Sequence, residues 1–186
     1  EQILLTDFIV TDCGKLAVAP DLKEGIDLFM GAVRSLMITN GVIDGCSGGG
    51  IEVKTRHTGL PSDIYQHILI SDLLIRNRCQ QKGIALLWTA ERFLENMVNS
   101  ADSAGRVLIS NLRIWYDFAD QAEKLTSRAA AIVVTAWRGV TLRGVEIEGA
   151  GVGFYFTAGN SSGDETVRDV TIDSCRVRDT MNALYA

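Results

Sequence analysis

Two acidic residues occupy the same place in the same four-residue word: Asp27 in Gly25-Ile26-Asp27-Leu28 and Glu52 in Gly50-Ile51-Glu52-Val53. If these words are strands lying side by side, the aliphatic residues face inward. The two carboxylates then share the outer face, about 4.8 Å apart. Carboxylates that close do not both ionise freely, so one can give a proton while the other supplies negative charge. That is the arrangement of a retaining glycosidase, at roughly 5 to 5.5 Å. The same pair also fits a solvated acidic patch balanced by Lys54. Lys54, Arg56 and His57 come next along the chain. Elimination at a uronic acid needs a cation for the sugar carboxylate and a base for the C5 proton, and these residue types supply both. They fit equally well as loop charges. Trp88, Trp137 and Tyr155 fall at or just after outward strand positions, while Trp115 and Tyr116 open a long loop. Rings of this kind stack on the apolar faces of sugars. Asp27, Glu52, Lys54, Arg56 and His57 are therefore the candidate catalytic residues, and Trp88, Tyr116, Trp137 and Tyr155 the candidate substrate-binding ones.

The elements that position these residues are internal repeats. Ile3-Leu4-Leu5-Thr6-Asp7, Leu36-Met37-Ile38-Thr39-Asn40, Ile68-Leu69-Ile70-Ser71-Asp72, Val107-Leu108-Ile109-Ser110-Asn111, Val140-Thr141-Leu142-Arg143-Gly144 and Val170-Thr171-Ile172-Asp173-Ser174 are variants of one word. Each is followed by a short alternating segment such as Phe8-Ile9-Val10 or Leu112-Arg113-Ile114. The small polar residue between the two supplies a sharp bend. A second word, Gly25-Ile26, Gly50-Ile51, Gly83-Ile84, Ala131-Ile132, Gly153-Phe154 and Asn182-Ala183, follows each first word in turn. Three short strands per repeat, with no helix required, predict a solenoid in which each strand finds a parallel neighbour in the next repeat.

With these words, of the type Val-Leu-Ile-Ser-Asn-Leu-Arg-Ile followed by Gly-Ile-Ala-Leu, the chain resembles the pectate-lyase-like superfamily over essentially its whole length. The resemblance implies an all-β fold: a right-handed single-stranded parallel β-helix of about six coils, with short helices in its loops. It also implies action on polysaccharides, since that superfamily includes polysaccharide lyases, polygalacturonase-type hydrolases, epimerases, phage tailspikes and adhesins. An Asn-Thr-Asp triplet and an adjacent Asp-Asp pair, the polygalacturonase signatures, are absent from the sequence. A hydrolase or lyase of the tailspike depolymerase type is the first reading, with a non-catalytic carbohydrate-binding adhesin or a structural β-helix as alternatives. For tailspike-type members the resemblance implies a homotrimer and an extracellular or virion-associated location.

Composition narrows the classes. The chain has 186 residues, 47% of them hydrophobic, and a net charge of −5. The apolar content is too high for a disordered chain, and the acidic balance disfavours nucleic acid as a partner. No apolar run approaches the roughly 18 residues that a membrane span requires. The expectation is one domain over residues 1–186, a piece of a longer β-helix without end caps. Cys13, Cys46, Cys79 and Cys175 have no metal-ligand spacing, so no thiolate metal site is expected. Cys13 and Cys46 each lie eight residues after the third residue of their repeat's first word, Leu5 and Ile38, and are expected to stack as reduced thiols. No cofactor is expected, although Asp117, Asp120 and Glu123 are of a type that holds Ca²⁺ through oxygen. The variable loops are read as residues 11–24, 54–67, 88–106, 116–130 and 158–168. Amphipathic helices are expected at 90–98 and 120–125, packing onto the solenoid. Ala85, Leu87 and Val133 are apolar outward residues, so the middle of that face is expected to be covered.

Overall fold

The computed structural model describes residues 2–14, 24–29, 35–57, 67–77, 83–90, 106–117, 130–135, 137–157 and 167–186. In chain order these form β1 (Gln2–Thr11), β2 (Glu24–Phe29), β3 (Ser35–Asp44), β4 (Gly49–His57), β5 (His67–Asn77), β6 (Ile84–Ala90) and β7 (Arg106–Tyr116). Then come β8 (Ala130–Thr135), β9 (Arg138–Arg143), β10 (Glu146–Glu148), β11 (Val152–Thr157), β12 (Arg168–Asp173), β13 (Arg176–Arg178) and β14 (Asn182–Tyr185). The fold is all-β, with no helix among the described residues, and therefore none long and apolar enough to cross a membrane.

The strands build two parallel sheets, and the chain passes between them in turn. One has the order β1-β3-β5-β7-β10-β13, with β9 pairing both β7 and β12; the other has the order β2-β4-β6-β8-β11-β14. Register is strict, so each residue stacks on its equivalent in the next repeat. Ile38 pairs with Ile70, Ile70 with Ile109 and Ile109 with Leu142, all fully buried. Ile43, Ile75, Ile114 and Ile147 form a second row in the same sheet, and Ile51, Ile84, Ile132 and Phe154 a third in the other. All belong to one hydrophobic cluster between the sheets. Stacking like on like lets β-branched side chains pack without change of shape from one repeat to the next.

The bend is where the repeats expected it. Asp7, Asn40, Asp72, Asn111 and Ser174 have φ of 53° to 55°, and Gly144 has φ 60°. Asp and Asn reach this left-handed region at lower cost than other non-glycine residues. Here they also bond to one another: Asn40 Nδ2 donates to Asp7 Oδ1, and Asn111 Nδ2 donates to Asp72 Oδ1 at 3.2 Å. Alternating Asp with Asn keeps carboxylates out of adjacent positions along this exposed ladder.

Three expectations are corrected. The first two words of a repeat are not separate strands in β1, β3, β5 and β7, because pairing resumes immediately beyond the single left-handed residue; they separate only as β9/β10 and β12/β13. β4 runs on to His57 and β6 to Ala90, because pairing continues from Lys54↔Leu87 to His57↔Ala90. Lys54, Arg56 and His57 are thus strand residues rather than the start of a loop, as is Trp88, paired with Thr55. The helix expected at 90–98 begins on a strand residue, Ala90, and its remainder, like the helix expected at 120–125, lies outside the described residues.

Glycine is required where the second word turns. A Cβ added to Gly50 would lie 2.3 Å from the carbonyl oxygen of Gly83 and 2.9 Å from Ile75 Cγ2. Gly50→Ala is expected to cost about 1–3 kcal/mol, as overpacking of a tight interior does, measured by urea denaturation. Cys46, 1% exposed, has its thiol pushed from 9.0 up to about 11, mainly by burial. The folded state therefore favours the neutral thiol. That contribution is fully present below pH 9 and is lost as pH rises from 9 toward 11. The loss of stability over that window should be smaller in Cys46→Ala than in the parent chain, read from unfolding curves at a series of pH values.

Candidate functional site

The site is built where β2 and β4 pair in parallel. Ile26 faces Ile51 and Leu28 faces Val53, and these residues pack in the core. Alternation therefore sends Asp27 and Glu52, which are also register partners, to the outer face. The register inferred from the two repeated words is the observed one.

The structure adds a third acid that alternation does not predict. Glu24 lies three residues before Asp27, which in a regular strand puts it on the opposite face. Gly25 breaks the alternation: a Cβ there would meet Ile43 Cγ2 at 2.7 Å and Cys46 Sγ at 3.2 Å, so Gly25 and Ile26 both face inward. Residues on either side of such a pair share the outer face. The same holds in β8, where Ala131 and Ile132 are in the core while Ala130 and Val133 join an outer cluster. One carboxylate oxygen from each of Glu24, Asp27 and Glu52 lies within 4.8 Å of the others. Glu52 is only 7% exposed, and the other two are half-buried.

This trio can do two kinds of chemistry. Three convergent oxygens are the donor set of a hard cation such as Ca²⁺, and a close carboxylate pair is the donor set for general acid and nucleophilic work. By contrast, Asp117, named above as an oxygen ligand for Ca²⁺, accepts a bond from Arg76 Nη2 at 2.5 Å, and Arg76 also reaches Asp44 at 3.8 Å. Asp117 and Asp44 hold the Arg76 guanidinium above its ordinary value. Asp120 and Glu123 lie outside the described residues.

The outer row continues from Glu52 through Ala85, Val133 and Tyr155 to Tyr185. Ala85 is 1% and Val133 5% exposed, so the middle of the face is covered, as their apolar character implied. Tyr155 is half-buried, with its ring edge-on to Tyr185 at 5.2 Å.

Two of the aromatic expectations are corrected. Trp137 is fully buried, and Tyr116 is 7% exposed, with its hydroxyl donating to the Ala130 carbonyl at 3.2 Å. Both rings belong to the core and offer no face to a sugar. Trp115 is the ring on the outside of β7, with the guanidiniums of Arg113 and Arg76 at 5.4 and 6.0 Å from its centre. Alternation from the buried Ile114 was the signal that could have separated the two neighbours. A further concavity lies on the outer face of the other sheet, floored by Met37, Leu69 and Leu108, with His67 and Arg106 at one edge.

No protein-family model, no curated protein and no solved structure matches this chain.

Burial of Trp137 gives a direct check on its role. Trp137→Ala is expected to destabilise the protein by about 3–5 kcal/mol, the usual cost of emptying a core site of that size, measured by thermal or denaturant unfolding.

Proposed function

We propose that this protein binds and cleaves a polysaccharide, with the two sheets forming walls of a right-handed single-stranded parallel β-helix of about six coils that resembles the pectate-lyase-like superfamily. The passage of the chain from one parallel sheet to the other in every repeat supports this architecture. The single observation that carries the function is the in-register pair Asp27 and Glu52, joined by Glu24, with oxygens within 4.8 Å. Oxygens no more than 4.8 Å apart are compatible with the roughly 5 to 5.5 Å between the carboxyl groups of enzymes that hydrolyse glycosidic bonds through a covalent intermediate.

On this reading Glu52, the most buried of the three, is the general acid and protonates the leaving sugar oxygen. Asp27, nearer to solvent, attacks the anomeric carbon, and water then releases the product with Glu52 acting as base. The alternative chemistry is elimination, in which Lys54 or Arg56 neutralises a uronate carboxylate and His57 takes the C5 proton; all three lie on the same strand as Glu52. Tyr155 and Trp88 remain the aromatic candidates for substrate contact. The partner is a polysaccharide, without nucleic acid or membrane, and this hydrolysis uses no cofactor; Ca²⁺ at the three carboxylates is the alternative to it, since a carboxylate that ligates the ion has no proton to give. The protein would act outside the cell or on a virion, as a homotrimer of the tailspike type.

The test is incubation with a panel of acidic and neutral polysaccharides, followed by mass spectrometry of the products. Oligosaccharides carrying an added water are expected, and Glu52→Gln should lower their yield at least about 100-fold while leaving the unfolding midpoint near that of the parent. Unsaturated ends would move the chemistry to Lys54, Arg56 and His57. Retention of a polysaccharide without products would mark a non-catalytic binder, and neither products nor retention would overturn the proposal.

A further inference from the structure

We propose that Cys13 and Cys46 are an oxidisable pair, a modification site at which a peroxide closes a disulfide between the first two repeats. The pairing of β1 with β3 continues beyond the last strand residues. Thr11 pairs with Asp44, Asp12 N donates to Asp44 O at 2.9 Å, and Ser47 N donates to Cys13 O at 2.9 Å. These bonds bracket Cys13 and Cys46 as partners in a parallel ladder. Parallel neighbours are about 4.8 Å apart, inside the roughly 4.4–6.8 Å between Cα atoms that a disulfide spans. Cys13 Sγ donates to the Thr11 carbonyl at 3.8 Å, and neither cysteine is in a disulfide.

Their environments differ in a way that assigns roles. Cys13 is half-buried at the surface, where a small oxidant reaches it, whereas Cys46 is 1% exposed and sits against Gly25. The Cys13 thiolate attacks one peroxide oxygen; the O–O bond breaks, hydroxide leaves and a sulfenic acid forms. The Cys46 sulfur then attacks the Cys13 sulfur. The S–S bond forms, the S–O bond breaks, and the departing hydroxide takes the Cys46 proton as water. Two thiols and one hydrogen peroxide thus give one disulfide and two waters. Burial keeps Cys46 protonated at neutral pH, so the closing step should quicken as pH rises toward 11. The bond would clamp β1 to the turn that enters β4, beside the Gly25 bend that brings Glu24 and Asp27 to one face.

The experiment treats the full chain with stoichiometric hydrogen peroxide, then digests it with trypsin without reductant. A linked pair of peptides covering residues 1–15 and 35–54 is expected, together with a rise in the unfolding midpoint on the order of 10 °C. Dithiothreitol should reverse both. Cys13→Ser, a change at a half-buried position that keeps the core thiol, should abolish both, and replacing Cys79 and Cys175 together by Ser should abolish neither. Sulfinic acid on Cys13 with Cys46 still a thiol, a Cys13-linked dimer, or linkage through Cys79 or Cys175 would each overturn the assignment.

Discussion

The structure depends on one constraint: every strand must lie in register on the equivalent strand of the next repeat. Parallel hydrogen bonding sets the step at about 4.8 Å and carries each side chain onto its counterpart. Position in the repeat therefore decides environment. Ile38, Ile70 and Ile109 are interchangeable because each sees the next, and Gly50 is held small by the carbonyl of Gly83 and the methyl of Ile75. A one-residue slip would turn each such row to the wrong face, so the hydrophobic rows and the backbone ladder enforce the same alignment.

The same constraint turns sequence distance into proximity. Asp27 and Glu52 are register partners across the β2–β4 pair, and Cys13 meets Cys46 by the same rule. Stacking also multiplies any cost, since a charge repeated in successive repeats meets its own kind. The bend ladder meets this with alternating Asp and Asn, and the outer row of the other sheet confines its acids to β2 and β4 before passing to Ala85 and Val133. Acids left adjacent at Glu24, Asp27 and Glu52 are therefore an exception to the pattern.

Much of this was legible in the residues alone. The repeated words predicted parallel strands and the bend positions, and they predicted the partnership of Asp27 with Glu52, because period-two alternation and a repeat of fixed phase suffice for all three. They did not predict Glu24, since Gly25 and Ile26 both turn inward and break the alternation. Nor did aromatic content distinguish Trp115 from Tyr116 or reveal Trp137 as a core residue. A ring's chemistry is the same on either side of a strand, and only packing decides whether it meets solvent.

What the sequence determined by itself is the periodicity: which residues recur, at what phase, and hence which face each regular strand position takes. The tertiary structure decided what happens where periodicity fails. The left-handed bend residues leave two words in one continuous strand, the glycine turn adds a third carboxylate to the pair, and pairing carries β4 through Lys54, Arg56 and His57. The physical reason is that alternation is a property of a single strand, whereas turns, strand ends and burial are set by the neighbouring repeats and by the space that remains between them.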